Sequence, residues 1–151
     1  MLYEFLQNAA LRHFYETRPL IDQIDDNHVL AIPIEGGRPL GEVILHLIRS
    51  IEFYLRGLIH NEWRPLPYSL EEYQSAAAIR ALYEEVIDRA RDYIEQLSHT
   101  DLSQVNESFN RPATKAEILL EMIEHSIHHR GQITVYFRLI GIEVSRIHYI
   151  I

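Results

Sequence analysis

Two histidines near the end of the chain, His125 and His129, have the spacing of a metal-binding pair. Residues four apart in a helix lie one turn apart on the same face, so two imidazoles at this spacing can reach one cation. The same face carries Ile118 and Met122, which indicates that both rings point into a core. An unpaired polar ring in a core costs about 1–3 kcal/mol, and a shared metal would satisfy both rings at once.

His46 is the natural third ligand, because it lies on the inward face of a second predicted helix. Two histidines from one helix and one from another give three neutral nitrogens and leave coordination positions open, as in catalytic zinc sites. The competing interpretation is three core histidines that are hydrogen-bonded to Ser, Tyr or backbone carbonyls, and the spacing alone does not choose between them. The charged residues of this helix fall on a separate arc: Glu42, Arg49, Glu52 and Arg56.

Further polar residues are candidates for assisting such a site, and each has a plain structural or solvated alternative. We predict catalytic roles for His128 and Gln132. His128 lies at the rim of the ligand face and could act as a proton shuttle. On a helical wheel Gln132 falls between the two ligands, where it could orient a bound water or substrate. His13, on the inward stripe of the first helix, could add a nitrogen or a base, although a hydrogen-bonded core histidine is favoured. Glu121 lies one turn before the pair and could accept a ligand N–H.

Helical periodicity accounts for most of the chain, whereas the alternating pattern of strands is nearly absent. The sequence therefore predicts an all-α fold, a four-helix bundle. The expected helices run from about Leu2 to the low twenties, with the last turn bent or trimmed by Pro19, from near Pro39 to about His60, from Ser69 to about Leu97, and from Thr114 to about Ile140.

Caps and loops complete this prediction. Capping boxes formed by Ser69 with Glu72 and by Thr114 with Glu117 open the third and fourth helices, and Gly141 ends the fourth. The connections are residues 25–38, 61–68 and 99–112. The apolar tail, residues 142–151, is expected to pack either on the bundle or on a second subunit.

The size and composition of the chain exclude several kinds of site, ligand and cellular location. The chain has 151 residues, the size of a single domain over residues 1–151, and no cysteine, which excludes thiolate metal ligands, a cysteine nucleophile and disulfides. A net charge of -8 opposes binding to nucleic acid, and no apolar run is long enough for a membrane span. The N-terminal segment carries charges and a histidine where a signal peptide would be apolar. We therefore predict a cytoplasmic protein without nucleic-acid or membrane partners. Nine histidines make it sensitive to acid.

Two segments of the sequence are similar to a known family. The segment HSIHHRGQITVYFRLIG, residues 125–141, resembles the signature of the DinB/YfiT-like metal-binding four-helix bundles, in which His-x-x-x-His precedes Arg-Gly-Gln. The segment HLIRSIEFYLRGL, which begins at His46, resembles the helix that supplies the family's first ligand. The resemblance implies that His46, His125 and His129 bind a divalent metal in an up-down-down-up bundle, and that the protein is a homodimer.

Family chemistry is mixed, and the resemblance leaves three functions open. The first is a metal-dependent enzyme, with Zn²⁺, Ni²⁺ or a similar ion, that transfers an external low-molecular-weight thiol to an electrophilic small molecule. The second is a metal-dependent hydrolase, in which His128 or an acidic residue would serve as base. The third is a non-catalytic, metal-stabilised bundle that binds a small molecule or a partner, which a closed shell without an adjoining pocket would favour.

Overall fold

The computed structural model describes residues 1–98 and 100–146 and confirms an all-α four-helix bundle. Two short strands form an antiparallel pair that the sequence pattern did not indicate, one within the predicted loop 99–112 and the other directly after it. No helix in the described ranges is long and apolar enough to cross a membrane. The elements are α1 (Leu2–Asp22), α2 (Leu40–His60), α3 (Ala76–Gln96), β1 (Val105–Asn106), β2 (Ala113–Thr114) and α4 (Lys115–Leu139).

The contacts between helices give their directions. The Tyr3 hydroxyl donates to the Ile94 carbonyl and the Tyr83 hydroxyl donates to the Phe14 carbonyl, so α1 and α3 are antiparallel. Other pairs show that α2 is parallel to α3 and α1 is parallel to α4: Glu52 with Arg89, His60 with Tyr93, Thr17 with Arg130, and Gln23 with Glu143. The bundle is therefore up-down-down-up, as the family resemblance implies. Helix α2 packs between α3 and α4, which places His46 opposite the other two histidines.

Three of the four helices begin and end close to their predicted limits. Thr114 and Glu117 form the expected capping box of α4, and Gly141 follows the helix with a φ of +81°. Pro39 caps α2. Pro19 lies inside α1, which continues to Asp22, so proline does not trim the last turn.

The predicted start of the third helix is wrong. Ser69 accepts backbone hydrogen bonds from Glu72 and Tyr73 and forms a single turn, while the helix begins at Ala76 with the Ser75 side chain as its cap. The Tyr68 hydroxyl donates to the buried Glu52 carboxylate. This long-range contact holds the chain against α2, so that the segment from 61 to 75 is a connection rather than a helical start.

The described part of the tail packs on its own chain. The Gln23 amide donates to the Glu143 carbonyl, and the Gln23 side-chain oxygen accepts from the Ser145 amide. Ile142 and Val144 pack against the core. These contacts favour the first of the two predicted arrangements for residues 142–146, and the tail prediction for residues 147–151 lies outside the described residues.

Candidate metal centre

The antiparallel helices α2 and α4 bring three histidines to one point. His46, His125 and His129 each offer a ring nitrogen, and these three atoms lie within 4.8 Å of one another. The ring centroids are 5.2 Å apart for His46 and His125 and 4.5 Å apart for each of the other two pairs. Separate hydrogen-bonded core histidines would have no reason to converge in this way, which favours the metal-site interpretation over the competing one.

The donor set fits a divalent transition metal. Metal–nitrogen bonds of about 2.0–2.1 Å hold tetrahedral ligand atoms about 3.4 Å apart, so modest side-chain rotation would close the site. Burial lowers the pKa of both His46 and His125 to about 4, and burial also lowers the pKa of His129. All three rings are therefore neutral at neutral pH, which is the state that imidazole ligands need for metal binding.

Gln132 orients one of the three rings. Its Oε1 atom lies 2.9 Å from Nδ1 of His129 and accepts a hydrogen bond from the ring N–H, which leaves Nε2 with its lone pair. The sequence placed Gln132 on the ligand face, and the structure adds its partner. His128, the other predicted catalytic residue, is exposed, with its ring centroid 5.0 Å from that of His129.

Gln132→Ala is expected to weaken metal binding about 10–100-fold, because outer partners of ligand histidines typically contribute that much. The measurement is a competition titration with a chromophoric chelator. Gln96→Ala, which removes an exposed glutamine at the end of α3, is the matched control and should keep the wild-type Kd. Equal metal affinity in Gln132→Ala and the wild type would show that the hydrogen bond does not support a metal ligand.

Ser50 links the other two candidate ligands. Its hydroxyl donates its single hydrogen to the His46 carbonyl at 2.6 Å, so its oxygen is the acceptor for Nε2–H of His125 at 3.1 Å. This contact is of the kind that the competing interpretation expected for a core histidine. It orients the His125 ring beside His46 and, in the neutral ring, leaves the lone pair on Nδ1.

Arg49 belongs to the site, although the sequence analysis placed it on a separate charged arc. Its Nη2 atom lies 3.1 Å from Nδ1 of His46, and its Nη1 atom donates to Glu42 and to the Tyr68 carbonyl. The missed signal is the spacing of three residues from His46, which makes two helical side chains neighbours. Arg38 is also close enough that its charge contributes to the lowered pKa of His46.

A pocket of about 470 Å³ opens directly beside the histidines. Phe53 and Tyr54 supply aromatic walls from α2, and Pro65 and Leu66 supply an apolar wall from the connection after it. The connection can lie close to the helix because Gly57 has no side chain, where a Cβ atom would meet the Trp63 ring at 2.3 Å. The lining residues are His46, Arg49, Ser50, Phe53, Tyr54, Pro65, Leu66 and His125.

The connection is tied to the bundle through the buried carboxylate of Glu52, which forms an ion pair with a half-buried arginine. Arg89 on α3 donates to both oxygens of Glu52 at 2.9 Å, and the Tyr68 hydroxyl donates to the same carboxylate at 2.7 Å. Glu52 is buried on α2, so the three groups join two helices and the connection. The apolar wall of the pocket is therefore held in place by contacts away from the histidines.

Two sequence candidates lie elsewhere. His13 is buried between α1 and α4 near Thr17 and Arg130, and it is not part of the three-histidine group. Glu121 accepts from the Tyr54 hydroxyl and from Arg111, and the structure gives it no hydrogen bond with His46, His125 or His129. Burial of Tyr54 and the charge of Glu121 raise the pKa of this hydroxyl to about 12, which keeps it protonated.

The fold and the site define a four-helix bundle with a candidate three-histidine metal centre, and comparisons with known proteins identify its family. The model of the DinB superfamily matches residues 10–133. YjoA of Bacillus subtilis is 25% identical over 141 residues, which cover 89% of this chain and 90% of YjoA. A family model that matches most of the chain places it directly: this protein belongs to the DinB superfamily.

Solved structures show the same fold. A DinB-like protein from Bacillus cereus is 26% identical, with a TM-score of 0.81 over 96% of this chain and 97% of that one. YfiT from Bacillus subtilis is 18% identical, with a TM-score of 0.67 over 93% of this chain and 89% of its own. It is described as a probable metal-dependent hydrolase with an unusual four-helix bundle topology.

Proposed function

We propose that this protein is a divalent-metal-dependent enzyme that transfers or adds a low-molecular-weight thiol to an electrophilic small molecule. The observation that carries the proposal is the pocket itself, because His46 and His125 line it and also belong to the three-histidine group. A closed structural site would have no such space beside its ligands. The pocket therefore favours a reacting or bound small molecule over a metal that only stabilises the fold.

The chain supplies the ligands and the surroundings of the reaction. When bound, a divalent metal with three imidazole ligands keeps open positions and lowers the pKa of a thiol there, so that thiolate forms near neutral pH. Three imidazoles suit both Zn²⁺ and Ni²⁺. Gln132 orients His129, while Phe53, Tyr54 and Leu66 provide a largely apolar wall for the body of a small molecule. The chain has no cysteine, so the thiol must come from another molecule.

Metal-dependent hydrolysis is the second candidate, and the description of YfiT supports it. Hydrolysis commonly uses a general base near the metal. No carboxylate is among the described residues that line the pocket. Two carboxylates that contact lining residues have cationic partners, with Glu42 bound to Arg49 and Glu121 bound to Arg111. This leaves the exposed His128 as the base that a hydrolase would use, and it makes thiol transfer the stronger proposal.

A cobalt-substituted protein tests the proposal. Adding cysteine or glutathione to the Co²⁺-loaded chain should produce a thiolate-to-metal charge-transfer band, and loss of thiol in the presence of an activated aryl chloride should accelerate. The metal-free protein and His125→Ala are the controls, and both should lack the band and the acceleration. A hydrolase would instead cleave ester or amide substrates without thiol. If a panel of cellular thiols gives no spectral change with metal fully loaded, the transferase proposal is wrong.

The proposal also covers the assembly, location and partners of the protein. We propose a homodimer in the cytoplasm whose partners are the small-molecule electrophile and the thiol, with no nucleic acid or membrane involved. The net charge of -8 supports the exclusion of nucleic acid.

A further inference from the structure

The hydrogen bond between Arg49 and His46 fixes which His46 nitrogen carries the proton. A guanidinium group is a donor only, so Nη2 of Arg49 donates and Nδ1 of His46 accepts over 3.1 Å. The neutral His46 ring therefore carries its hydrogen on Nε2. This is the opposite arrangement to His129, whose Nδ1–H donates to Gln132.

His46 cannot keep this bond and also act as a metal ligand. A ligating imidazole gives one nitrogen to the metal and carries its hydrogen on the other, which needs an acceptor. If Nε2 of His46 ligates, Nδ1–H points at the N–H groups of Arg49, and two donors face each other. If Nδ1 ligates, it is no longer available to Arg49. In both cases, metal binding at His46 breaks its hydrogen bond with Arg49 and leaves Nη2 of Arg49 free to bind another acceptor.

The released side of Arg49 faces a pocket that suits an anion. Glu42 and the Tyr68 carbonyl hold Nη1 at 2.7 and 2.9 Å, so the guanidinium stays anchored while Nη2 changes partner. Arg38 adds a second positive charge near the histidines. The described lining contains no carboxylate that could replace His46 as acceptor. A planar guanidinium fork at the wall of an apolar pocket is a good carboxylate receptor.

We propose that the substrate of this site carries a carboxylate next to an apolar body, and that Arg49 binds the carboxylate after metal loading has released it from His46. The apolar body packs against Phe53, Tyr54 and Leu66, which form the pocket walls. This inference rests on the proposed function, since it requires a metal at the three histidines. Arg49 is a specificity-determining residue of the site, and metal and substrate bind in that order.

Ligand binding to the zinc-loaded protein tests the substrate class. Phenylacetate and phenylacetamide have the same apolar body, and calorimetry should show tighter binding of phenylacetate to the wild type. A hydrogen bond to a charged group contributes enough for an advantage of about tenfold or more. The advantage should be lost in Arg49→Gln and partly kept in Arg49→Lys, which retains the charge. The matched control is Arg56→Gln, which removes another arginine of α2, paired with Glu62 in the connection after the helix, and this variant should keep the advantage.

Metal affinity provides a second readout that does not depend on substrate. In Arg49→Gln the new side-chain oxygen can accept from Nδ1–H of His46, as Gln132 does for His129. We therefore expect Arg49→Gln to bind zinc about tenfold more tightly than the wild type, within the range known for such outer partners. Circular dichroism of both variants checks that the bundle is intact.

The outcomes separate this inference from the proposed function. If the wild type binds no metal, the proposed metal-dependent function is wrong, and this inference is overturned with it. If the wild type binds metal but prefers phenylacetate equally in Arg49→Gln, Arg49 does not select the carboxylate. If Arg49→Gln binds zinc no more tightly than the wild type, the competition between Arg49 and the metal for His46 is wrong.

Discussion

Replacing any one of His46, His125 and His129 by Ala is expected to lower metal affinity more than a hundredfold. Loss of an outer partner costs about 10–100-fold, and loss of a ligand removes a metal bond outright. The three ring nitrogens lie within 4.8 Å of one another, so no ligand atom of the group is remote from the others. Metal analysis after dialysis and chelator competition would give the stoichiometry and the Kd.

His60→Ala is the control for this series. His60 is on α2 with His46, but it is exposed and its ring packs against Tyr93 at 5.5 Å between centroids. Its removal should leave one metal per chain, and the metal should still raise Tm by binding the folded state. Stoichiometric metal in the double variant His125→Ala/His129→Ala would overturn the ligand assignment.

Acid is expected to destabilise the metal-free protein, and His13 should account for about 2 kcal/mol of the loss between pH 7 and pH 5. Burial between α1 and α4, together with the nearby charge of Arg130, lowers the pKa of His13 from 6.5 to about 3. Below pH 6.5 the unfolded chain binds a proton at this residue and the folded chain does not. The contribution of His13 to the free energy of unfolding is therefore fully present above pH 6.5 and is lost progressively as the pH falls toward 3.

Urea unfolding at several pH values measures this effect. His13→Gln should have a shallower dependence of the unfolding free energy on pH than the wild type, because it removes the titrating group. The groups that surround His13 are Arg12 and Glu16 on α1 and Arg130 on α4, and all are kept in the variant. Phe14→Leu is the matched control, since it perturbs the same buried region without removing a proton site and should lower stability evenly. Equal pH slopes in His13→Gln and the wild type would contradict the prediction.

The side chains of Arg130 and Gln132, in the Arg-Gly-Gln segment after the histidine pair, contact different parts of the bundle. Gln132 bonds the ligand His129, whereas the buried Arg130 points to the other side of α4 and pairs with Glu16 on α1 at 3.6 Å. One helix therefore faces the candidate metal centre on one side and a buried polar cluster on the other. The helical period explains the division, because residues two apart lie on nearly opposite faces.

The sequence by itself determined the features that depend on local geometry. Apolar periodicity fixes where helices form, and the capping box of Thr114 and Glu117 gives the start of α4, because each needs only residues a turn apart. The spacing of His125 and His129 likewise puts two imidazoles on one face of that helix. The exception was Ser69 with Glu72, where the same local pattern forms only a turn.

Tertiary structure decided everything that depends on groups distant in the chain. The third helix begins late because Tyr68 bonds Glu52 on α2, and a long-range contact of this kind outweighs a local cap preference. The convergence of His46 with the α4 pair requires two helices to pack antiparallel, and the pocket requires the connection after α2 to cover it. Helical spacing on α2 brings Arg49 near His46 and Glu42, but the Tyr68 carbonyl that also holds its guanidinium comes from the connection after the helix, so only the tertiary structure completes this set of partners.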